Sequence, residues 1–463
     1  MKPRFLLTGV VVSSVLMGSA EARTWLVGGP GADFDQIEPA IDAASDGDLI
    51  LVRPGIYEHF SLQAKGVMIR ASDQPFEVGT GRGVWSDVSI SAIPAGLKAG
   101  ISGMVLTQGT LIVSNSPGEI VLENITARLE GDWLETNKRI WIASCDLVSC
   151  TQFHVETAGW VCGERWGPWG NWCRNGMEDP GPTFLIEDSV VWISDLFVRA
   201  SRGANGDEHW NSYDGQVGGD GIEIRYSWLV LSRPDIHGGG GGSGVCIFEW
   251  GGSDGGDGGD AVIIEDSRVL VLGRSEDLIR GGDGGEAGYC SCGACDQWGD
   301  GSDGGDGLIA TANSLVEVSR VALEGGRAGY GDPPGAPGSD FVGPVSFRSD
   351  LPLLATNDLW NPGDTVTIEI EAVEPSFLLL VSADHGGMAT LPPFQGPPLS
   401  ALPGGYFLVT PLGQTDPQGR FVLTGVLPSD PLLQGIAIYL QSVVRGASGN
   451  DYLTNATVRV MGE

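Results

Sequence analysis

The chain has 463 residues, of which 73 are glycine, and 59 acidic residues against 26 basic ones give a formal charge of −33. A charge of this sign and size argues against nucleic acid and anionic membrane surfaces as partners, and it is compatible with bound calcium or with simple solubility. A chain of this length exceeds one ordinary compact core, so two domains or an elongated repeat is expected.

The first twenty-two residues have the composition of a secretory signal peptide. Lys2 and Arg4 give a positive start, residues 5–17 form an apolar stretch too short to span a bilayer, and residues 18–22 offer small side chains for cleavage. No later apolar run reaches the roughly 20 residues of a transmembrane helix. We therefore expect a secreted, extracellular or cell-surface monomer, without a membrane span once residues 1–22 are removed.

A helix, a buried strand and a turn are predicted at the start of the remaining chain. Apolar residues recur at helical spacing over residues 33–44, and Asp35 with Glu38 can form a capping box. The apolar run 49–52 predicts a strand, and the Pro-Gly-Ile-Tyr sequence that ends at Tyr57 predicts a turn.

This helix, strand and turn resemble the N-terminal cap of the pectin-lyase-like superfamily of right-handed parallel β-helices. The resemblance covers residues 30–60 and implies a rod of stacked strands over 23–348, whose open end the helix covers. The superfamily holds lyases, hydrolases, esterases and proteins without activity, so the resemblance implies a fold and no reaction. The sequence motifs of its pectate lyases, polygalacturonases and pectin methylesterases are missing here.

Internal repeats favour the same fold. Four apolar segments align on Ser189, Ser227, Ser267 and Ser314, which lie 38, 40 and 47 residues apart, and a glycine-rich stretch follows each segment. A repeat of this length is typical of a solenoid or a propeller. We predict a solenoid with glycine- and aspartate-rich loop inserts, because each unit offers two or three strands rather than the four of a propeller blade. The inserts at 130–182 and 203–345 are where a ligand is expected.

A tryptophan-rich segment in the first insert is a candidate carbohydrate site. Trp160, Trp166, Trp169 and Trp172 lie within thirteen residues. Exposed aromatic faces suit the apolar faces of sugar rings, and the alternative is a small core that seals the side of the rod.

The eight cysteines of an exported chain are expected to form disulfides. Cys145 with Cys150, and Cys162 with Cys173, are close enough in sequence to pair locally. The connectivity of Cys246, Cys290, Cys292 and Cys295 stays open.

Asp220, Asp260 and Asp306 are candidate calcium ligands. Residues 255–263 fit the calcium-binding nonapeptide GGxGxDxUx, and residues 215–223 and 301–309 fit it with one mismatch each. Such sites require neighbouring turns, so calcium would bind only if the three segments stack side by side. The alternative is that glycine permits tight turns and aspartate solvates them.

Three arginines fall at matching places in the repeats, to within one residue: Arg233, Arg274 and Arg320. Stacked in register, they would form a guanidinium ladder able to hold the carboxylates of a uronate polymer. The alternative is that they form ordinary ion pairs with nearby carboxylates.

The texture of the sequence changes after residue 348. Six short runs with strand character, separated by turn residues, predict an antiparallel β-sandwich over 349–463: 365–371, 377–382, 406–410, 420–424, 436–441 and 457–460.

Two functions follow as hypotheses. The first is a non-catalytic extracellular module that binds polysaccharide or matrix, with calcium as its one candidate cofactor. The second is a lyase or glycoside hydrolase that acts on an acidic polysaccharide. The sequence does not decide whether the protein is an enzyme.

Overall fold

The structure, a computed structural model, is mostly β, with one short helix among the described residues. It describes residues 22–79, 87–130, 139–158, 160–161, 166–167, 170–171, 181–206, 214–247, 251–291, 296–349, 351–356, 363–372, 376–382, 407–413, 415–416, 418–427, 437–445, 451–454 and 457–460.

The elements, in chain order, are β1 (Thr24–Val27), α1 (Ile37–Ala43), β2 (Leu49–Val52), β3 (Ile56–Tyr57), β4 (Ser61–Gln63), β5 (Met68–Ala71), β6 (Phe76–Val78), β7 (Val88–Ser91), β8 (Lys98–Leu106), β9 (Leu111–Glu130), β10 (Ile140–Ala158), β11 (Trp160–Val161), β12 (Trp166–Gly167), β13 (Gly170–Asn171), β14 (Pro182–Glu187), β15 (Val190–Arg199), β16 (Arg202–Gly203), β17 (Asp220–Arg225), β18 (Trp228–His237), β19 (Cys246–Ile247), β20 (Gly251–Gly252), β21 (Val262–Glu265), β22 (Arg268–Leu272), β23 (Leu278–Arg280), β24 (Tyr289–Ser291), β25 (Asp296–Trp298), β26 (Leu308–Ala310), β27 (Leu315–Ser319), β28 (Ala322–Glu324), β29 (Phe341–Val342), β30 (Val345–Arg348), β31 (Leu353–Thr356), β32 (Thr365–Glu371), β33 (Ser376–Ser382), β34 (Phe407–Gly413), β35 (Arg420–Val426), β36 (Ala437–Arg445), β37 (Asp451–Leu453) and β38 (Thr457–Val460).

One parallel sheet of 22 strands dominates the chain. Its strands stack in three columns, and the long strands contribute to more than one column. The first column is β4, β7, β9, β10, β14, β17, β21, β26 and β29. The second column is β1, β2, β5, β8, β9, β10, β15, β18, β22, β27 and β30. The third column is β3, β6, β8, β9, β10, β15, β18, β23 and β28.

Alternating side chains of all three columns share one apolar core. In β18, for example, Leu229, Leu231 and Ile236 are fully buried, and they join a cluster that runs from Val27 to Val321. Because successive side chains of a strand point to opposite faces, an alternating sequence buries one face of every strand. Each fully buried aliphatic side chain stabilises the fold by about 1.5–3 kcal/mol, so the repeated core is the main source of stability.

The chain bends between columns at residues with positive φ. Seven of them stack between the first and second columns: Ala64, Ala92, Asn115, Ser144, Asp188, Tyr226 and Asp266. Between the second and third columns the stack is Gly103, Asn124, Gln152, Asp195, Arg233 and Arg320. A positive φ costs energy for a residue with a Cβ. The bend nevertheless recurs at the same place in each repeat, because the strand register fixes its position.

Buried serines follow the first bend and form a hydrogen-bonded ladder. The backbone N–H of Ser189 donates to Ser227 Oγ at 3.1 Å, and that of Ser227 donates to Ser267 Oγ at 3.0 Å. The hydroxyls of Ser189, Ser227 and Ser267 also donate to the carbonyl two residues before each serine, as Ser227 does to Arg225 at 2.6 Å. The serines that align the repeats thus satisfy backbone groups that the bend leaves unpaired.

Cys145 occupies one rung of the same ladder, which corrects the predicted Cys145–Cys150 disulfide. Its thiol donates to Ala143 O at 3.3 Å, and its N–H donates to Ser189 Oγ at 3.0 Å. Cys145 and Cys150 are both free and buried. Both lie on β10, and residues five apart on an extended strand are separated by more than the 4.4–6.8 Å between Cα atoms that a disulfide spans. Burial raises the pKa of the Cys145 thiol to about 11 and raises that of Cys150 as well.

We expect Cys145→Ser to preserve the free energy of unfolding to within about 0.5 kcal/mol, since a hydroxyl fits a serine ladder. Cys145→Ala should lose about 1–3 kcal/mol, because buried backbone groups of Ser116 and Ala143 lose a partner. Chemical denaturation of the three proteins measures the difference. Equal losses in the serine and alanine variants would contradict the ladder role.

The glycine-rich inserts are not irregular loops but two packed layers. The outgoing layer contains 201–206, 238–244, 281–288 and 325–331, and the returning layer contains 214–221, 254–261, 300–307 and 333–340. Within the outgoing layer, every third N–H donates to the next segment, as in Gly203 to Gly240, Gly241 to Asp283 and Gly284 to Arg327, each at 2.8 Å. A bonding period of three residues is that of a helix of the polyproline II type.

The two layers are also bonded to each other. Gly239 donates to Gly219, Gly259 to Gly239 and Gly282 to Gly259, each at 2.8 Å, so the bonds alternate between the layers. Residues at the third position of the period face outward, and in 281–289 the exposed residues are Asp283, Glu286 and Tyr289. Glycine is required inside because the segments approach backbone to backbone.

A disulfide fastens neighbouring segments of the outgoing layer. Cys246 and Cys290 are bonded at an S–S distance of 2.09 Å, and each follows directly on one of these segments. This assigns two of the four cysteines whose connectivity the sequence left open. Cys292 and Cys295 lie outside the described residues.

Two antiparallel sheets follow the parallel one. The first is β31, β32 and β35, and the second is β33, β34, β36, β37 and β38. Ile368 and Ile370 of the first sheet share an apolar cluster with Leu440 and Val444 of the second. The six runs predicted after residue 348 correspond to β32–β36 and β38, with bounds that differ by up to four residues.

Helix α1 begins later and is capped differently from the prediction. Its N-cap is Gln36, which makes no side-chain capping bond. Glu38 instead accepts a hydrogen bond from Ser61 N at 2.6 Å, so it joins the helix to β4 rather than closing a capping box. Ile37, Ala40 and Ile41 are buried against the first strands, as the apolar stripe predicts.

Candidate functional site

The predicted tryptophan site falls largely outside the described residues. Trp169, Trp172, Cys162 and Cys173 are not described. The backbone of β11, which includes Trp160, pairs with Arg202–Gly203, and that of β12, which includes Trp166, pairs with β13. The sugar-binding role of this segment and the Cys162–Cys173 disulfide stay predictions.

The three predicted calcium ligands stack side by side in the returning layer. Asp220 Oδ1 accepts the N–H of Asp260 at 2.7 Å, and Asp260 Oδ1 accepts the N–H of Asp306 at 2.6 Å. The glycines around them pack backbone to backbone rather than forming tight turns. Within the described ranges, no group of three or more His, Cys, Asp or Glu side chains is arranged to hold a metal ion. The calcium site stays a prediction.

Two of the three predicted ladder arginines, Arg274 and Arg320, pair with carboxylates of the antiparallel sheets. Arg274 lies 3.1 Å from Glu369 and 2.5 Å from Glu371, and Arg320 lies 3.7 Å from Glu371. Arg233 pairs with Asp195 at 2.8 Å. Burial lowers the pKa of Arg320, and the nearby Glu371 carboxylate only partly opposes the shift.

A cavity of about 710 Å³ surrounds Arg274 and Arg320. Glu369, Glu371 and Arg420 also line it, and Arg420 pairs with Glu369. Each of these three arginines therefore already pairs with a carboxylate of β32, and we assign no ligand to this cavity.

A second cavity, of about 410 Å³, lies where the third column meets the outgoing layer. We call it the basic groove, and its charged lining is Arg199, Arg202, His237, Arg280 and Asp283. The strand register sets three of these side by side, since Arg199 pairs with His237 and His237 with Arg280. Adjacent strands lie about 4.8 Å apart, so Arg199, His237 and Arg280 form a row along the groove.

The basic side chains of the groove differ in their contacts with the described residues. Arg280 is held by Asp283 at 2.6 Å, and His237 lies 2.8 Å from Asp235. Arg199 and Arg202 are exposed and form no ion pair with any residue that the structure describes. Arg199 also lies 5.8 Å from the ring of Phe197, which stacks on His154 at 4.4 Å.

The two glycine layers differ in the charges they present, since the returning layer is acidic and the outgoing layer carries both signs. The exposed positions of the returning layer include the aspartates Asp214, Asp254, Asp257, Asp300 and Asp303, whereas Asp260 and Asp306 are half-buried and Asp220 is buried. The basic groove lies where the outgoing layer meets the third column. Although the chain has a net charge of −33, the arginines of the groove attract anions locally.

The groove residues were not singled out as ligands from the sequence, although a signal was present. Arg199, His237 and Glu324 each lie ten residues after the aligned serine of their repeat, and Arg280 lies thirteen residues after Ser267. The insertion before β23 shifts Arg280 and hides the row. Aligning strands rather than serines alone would have revealed it.

Comparisons with family models, with curated proteins and with solved structures find no match to this chain. The pectin-lyase-like resemblance therefore stays a prediction. No helix within the described part of the chain is long and apolar enough to cross a membrane.

Proposed function

We propose that the chain is an exported, non-catalytic module that binds an acidic polysaccharide in the basic groove. In this proposal, residues 23–348 form a right-handed parallel β-helix and residues 349–463 a β-sandwich. Three columns of parallel strands around one core, covered by α1 at one end, support the first part. The signal-like residues 1–22 and the Cys246–Cys290 disulfide support export.

The exposed pair Arg199 and Arg202 in the groove carries the proposal. A guanidinium forms two parallel hydrogen bonds to a carboxylate, which makes it the preferred side chain for a uronate group. The glycine backbone beside Arg199 and Arg202 lets an extended polymer approach closely. The aspartates of the returning layer would repel the same polymer, whereas the groove offers it Arg199 and Arg202.

Arg199→Ala is expected to weaken the binding of polygalacturonate or alginate oligomers about tenfold, which corresponds to about 1.4 kcal/mol. A charge-assisted hydrogen bond to a carboxylate is lost, and binding should also weaken as salt is raised. Isothermal titration calorimetry at low and moderate ionic strength measures both effects.

Arg268→Ala is the matched control for this experiment. Arg268 is an exposed arginine of the second column, 4.9 Å from the Trp228 ring and outside the groove. It removes the same charge from the chain, so its affinity should stay within twofold of wild type. Equal losses in the two variants would assign the effect to net charge and overturn the groove.

A lyase is the second candidate, and the contact between His237 and Asp235 favours it. A histidine held by a carboxylate is a common general base, and the arginines would neutralise the substrate carboxylate. His237 would remove the proton next to that carboxylate, and the glycosidic C–O bond would break as the C=C double bond forms. The departing oxygen would take a proton.

Product analysis separates the two candidates. A binding module releases no unsaturated uronate ends from polygalacturonate or alginate, even at saturating protein. Unsaturated ends that appear with wild type and disappear with His237→Ala would establish the lyase instead.

A further inference from the structure

Three exposed aromatic side chains form one cluster at the far end of the outgoing layer. The Tyr289 and Trp298 rings lie 4.3 Å apart, and the Trp298 and Tyr330 rings lie 5.1 Å apart at 82°. Their exposed fractions are 43%, 37% and 62% respectively. Large aromatic side chains exposed together on a surface indicate a contact site.

The cluster is fixed in place by its backbone. Tyr289 and Trp298 face each other across the antiparallel pair of β24 and β25. Cys290, next to Tyr289, is disulfide-bonded to Cys246, and the Ala287 N–H donates to Tyr330 O at 2.7 Å. Little conformational freedom of the backbone would be lost when a ligand stacks on these rings.

The cluster and the basic groove lie on the same face of the outgoing layer. Arg280, Asp283, Glu286 and Tyr289 follow one another at the period of three, and the last three are exposed. Nine residues at about 3.1 Å each place Tyr289 about 28 Å from Arg280 along the segment. One extended polymer can therefore reach both.

The two ends of this face differ in chemistry. The groove is cationic, whereas the cluster has acidic neighbours, with exposed Glu286, Asp300 and Asp332 within three residues of its rings. Aromatic faces attract the apolar faces of uncharged sugar rings, and the phenol and indole groups can bond hydroxyls. A uronate would be repelled at this end.

We propose that the aromatic cluster is a second binding site, for uncharged sugar rings, and that the ligand is a polysaccharide with uronate and uncharged sugars in one chain. This inference rests on the proposed binding of an acidic polysaccharide in the groove. The preferred ligand is then a polymer that contains both uronate and uncharged sugars, rather than a uniformly charged polymer.

The test compares homopolymers with alternating polymers. Oligogalacturonides serve as the uniformly charged probe, and oligomers of hyaluronan and of unsulfated chondroitin serve as mixed probes, each in sizes shorter and longer than about 28 Å. Long mixed oligomers should bind wild type at least tenfold more tightly than short ones, because the second contact becomes intramolecular. Tyr330→Ala should remove that gain and leave the short oligomers unaffected.

Tyr226→Asn is the matched control. It removes a tyrosine that is 65% exposed but distant from the cluster in the repeat, and asparagine accepts its positive φ. The aromatic site alone would be overturned if long mixed oligomers bound Tyr330→Ala as tightly as they bind wild type. It would also be overturned if long mixed oligomers bound either protein no more tightly than oligogalacturonides do. If Arg199→Ala left the affinity for short oligomers unchanged, the proposed binding in the groove would be overturned instead.

Discussion

Gly242→Ala is expected to lower the free energy of unfolding by about 3 kcal/mol or more, which is the upper range for overpacking a core. Gly242 lies inside the glycine layers, where its N–H donates to Gln216 O and its carbonyl accepts from Gly256 N, both at 2.8 Å. A Cβ at this position would overlap the Ala204 carbonyl oxygen. That oxygen belongs to backbone bonded on both sides, so it has little freedom to move away.

Gly240→Ala is the control, two residues away in the same segment. A Cβ on Gly240 would lie 3.5 Å from Asp283 O, an ordinary contact distance. Alanine also reduces the conformational freedom of the unfolded chain, which stabilises a protein by about 0.4–1 kcal/mol where the backbone accepts it. Thermal or denaturant unfolding should therefore show changes of opposite sign at the two positions. Similar losses would contradict the close packing of the layers.

The stacking of the strands was predictable from local sequence. The alternation of apolar residues and the recurrence of Ser189, Ser227, Ser267 and Ser314 are both local patterns, and the aligned serines do lie on neighbouring rungs of one ladder. The place of Cys145 in that ladder could be recognised only from the register, because a thiol does not match the serine pattern.

The glycine layers could not be predicted in the same way. Their period of three is visible in Asp254, Asp257 and Asp260, yet a helix of the polyproline II type has no internal hydrogen bonds. Its partners lie on other segments about 40 residues away, such as Asp257 for Gly218. For this reason each glycine-rich segment, considered by itself, matches the sequence of a calcium-binding nonapeptide.

The arginine ladder shows a different limit. Its positions were predicted correctly, since Arg233 and Arg320 follow paired residues of β18, β22 and β27, and Arg274 lies one residue further on. Its partners could not be found from the repeats, because Glu369 and Glu371 come from a later strand of another sheet. The repeat period predicts where an arginine recurs, but it does not predict which residues from later in the chain pack against that arginine.

Asp195→Asn is expected to destabilise the contact between the parallel sheet and the antiparallel sheets by about 3 kcal/mol. Asp195 lies between two guanidiniums, at 2.8 Å from Arg233 and 3.5 Å from Arg459 of β38. Arg459 is fully buried, and a buried cation that loses a carboxylate partner recovers less of the cost of its desolvation. Asparagine keeps the shape of the side chain and accepts the positive φ of this position, so the change isolates the charge.

Asp188→Asn controls for the bend and for the loss of one negative charge. Asp188 also has a positive φ but is exposed, so its substitution should change stability by less than about 0.5 kcal/mol. Combining Asp195→Asn with Arg459→Met should restore part of the loss, because the fully buried cation is then removed together with its carboxylate, whereas Arg233 is partly exposed. Limited proteolysis and denaturant unfolding report whether residues 349–463 separate first. Additive losses in the double variant would mean that Arg459 draws its compensation from elsewhere, and that Asp195 serves Arg233 alone.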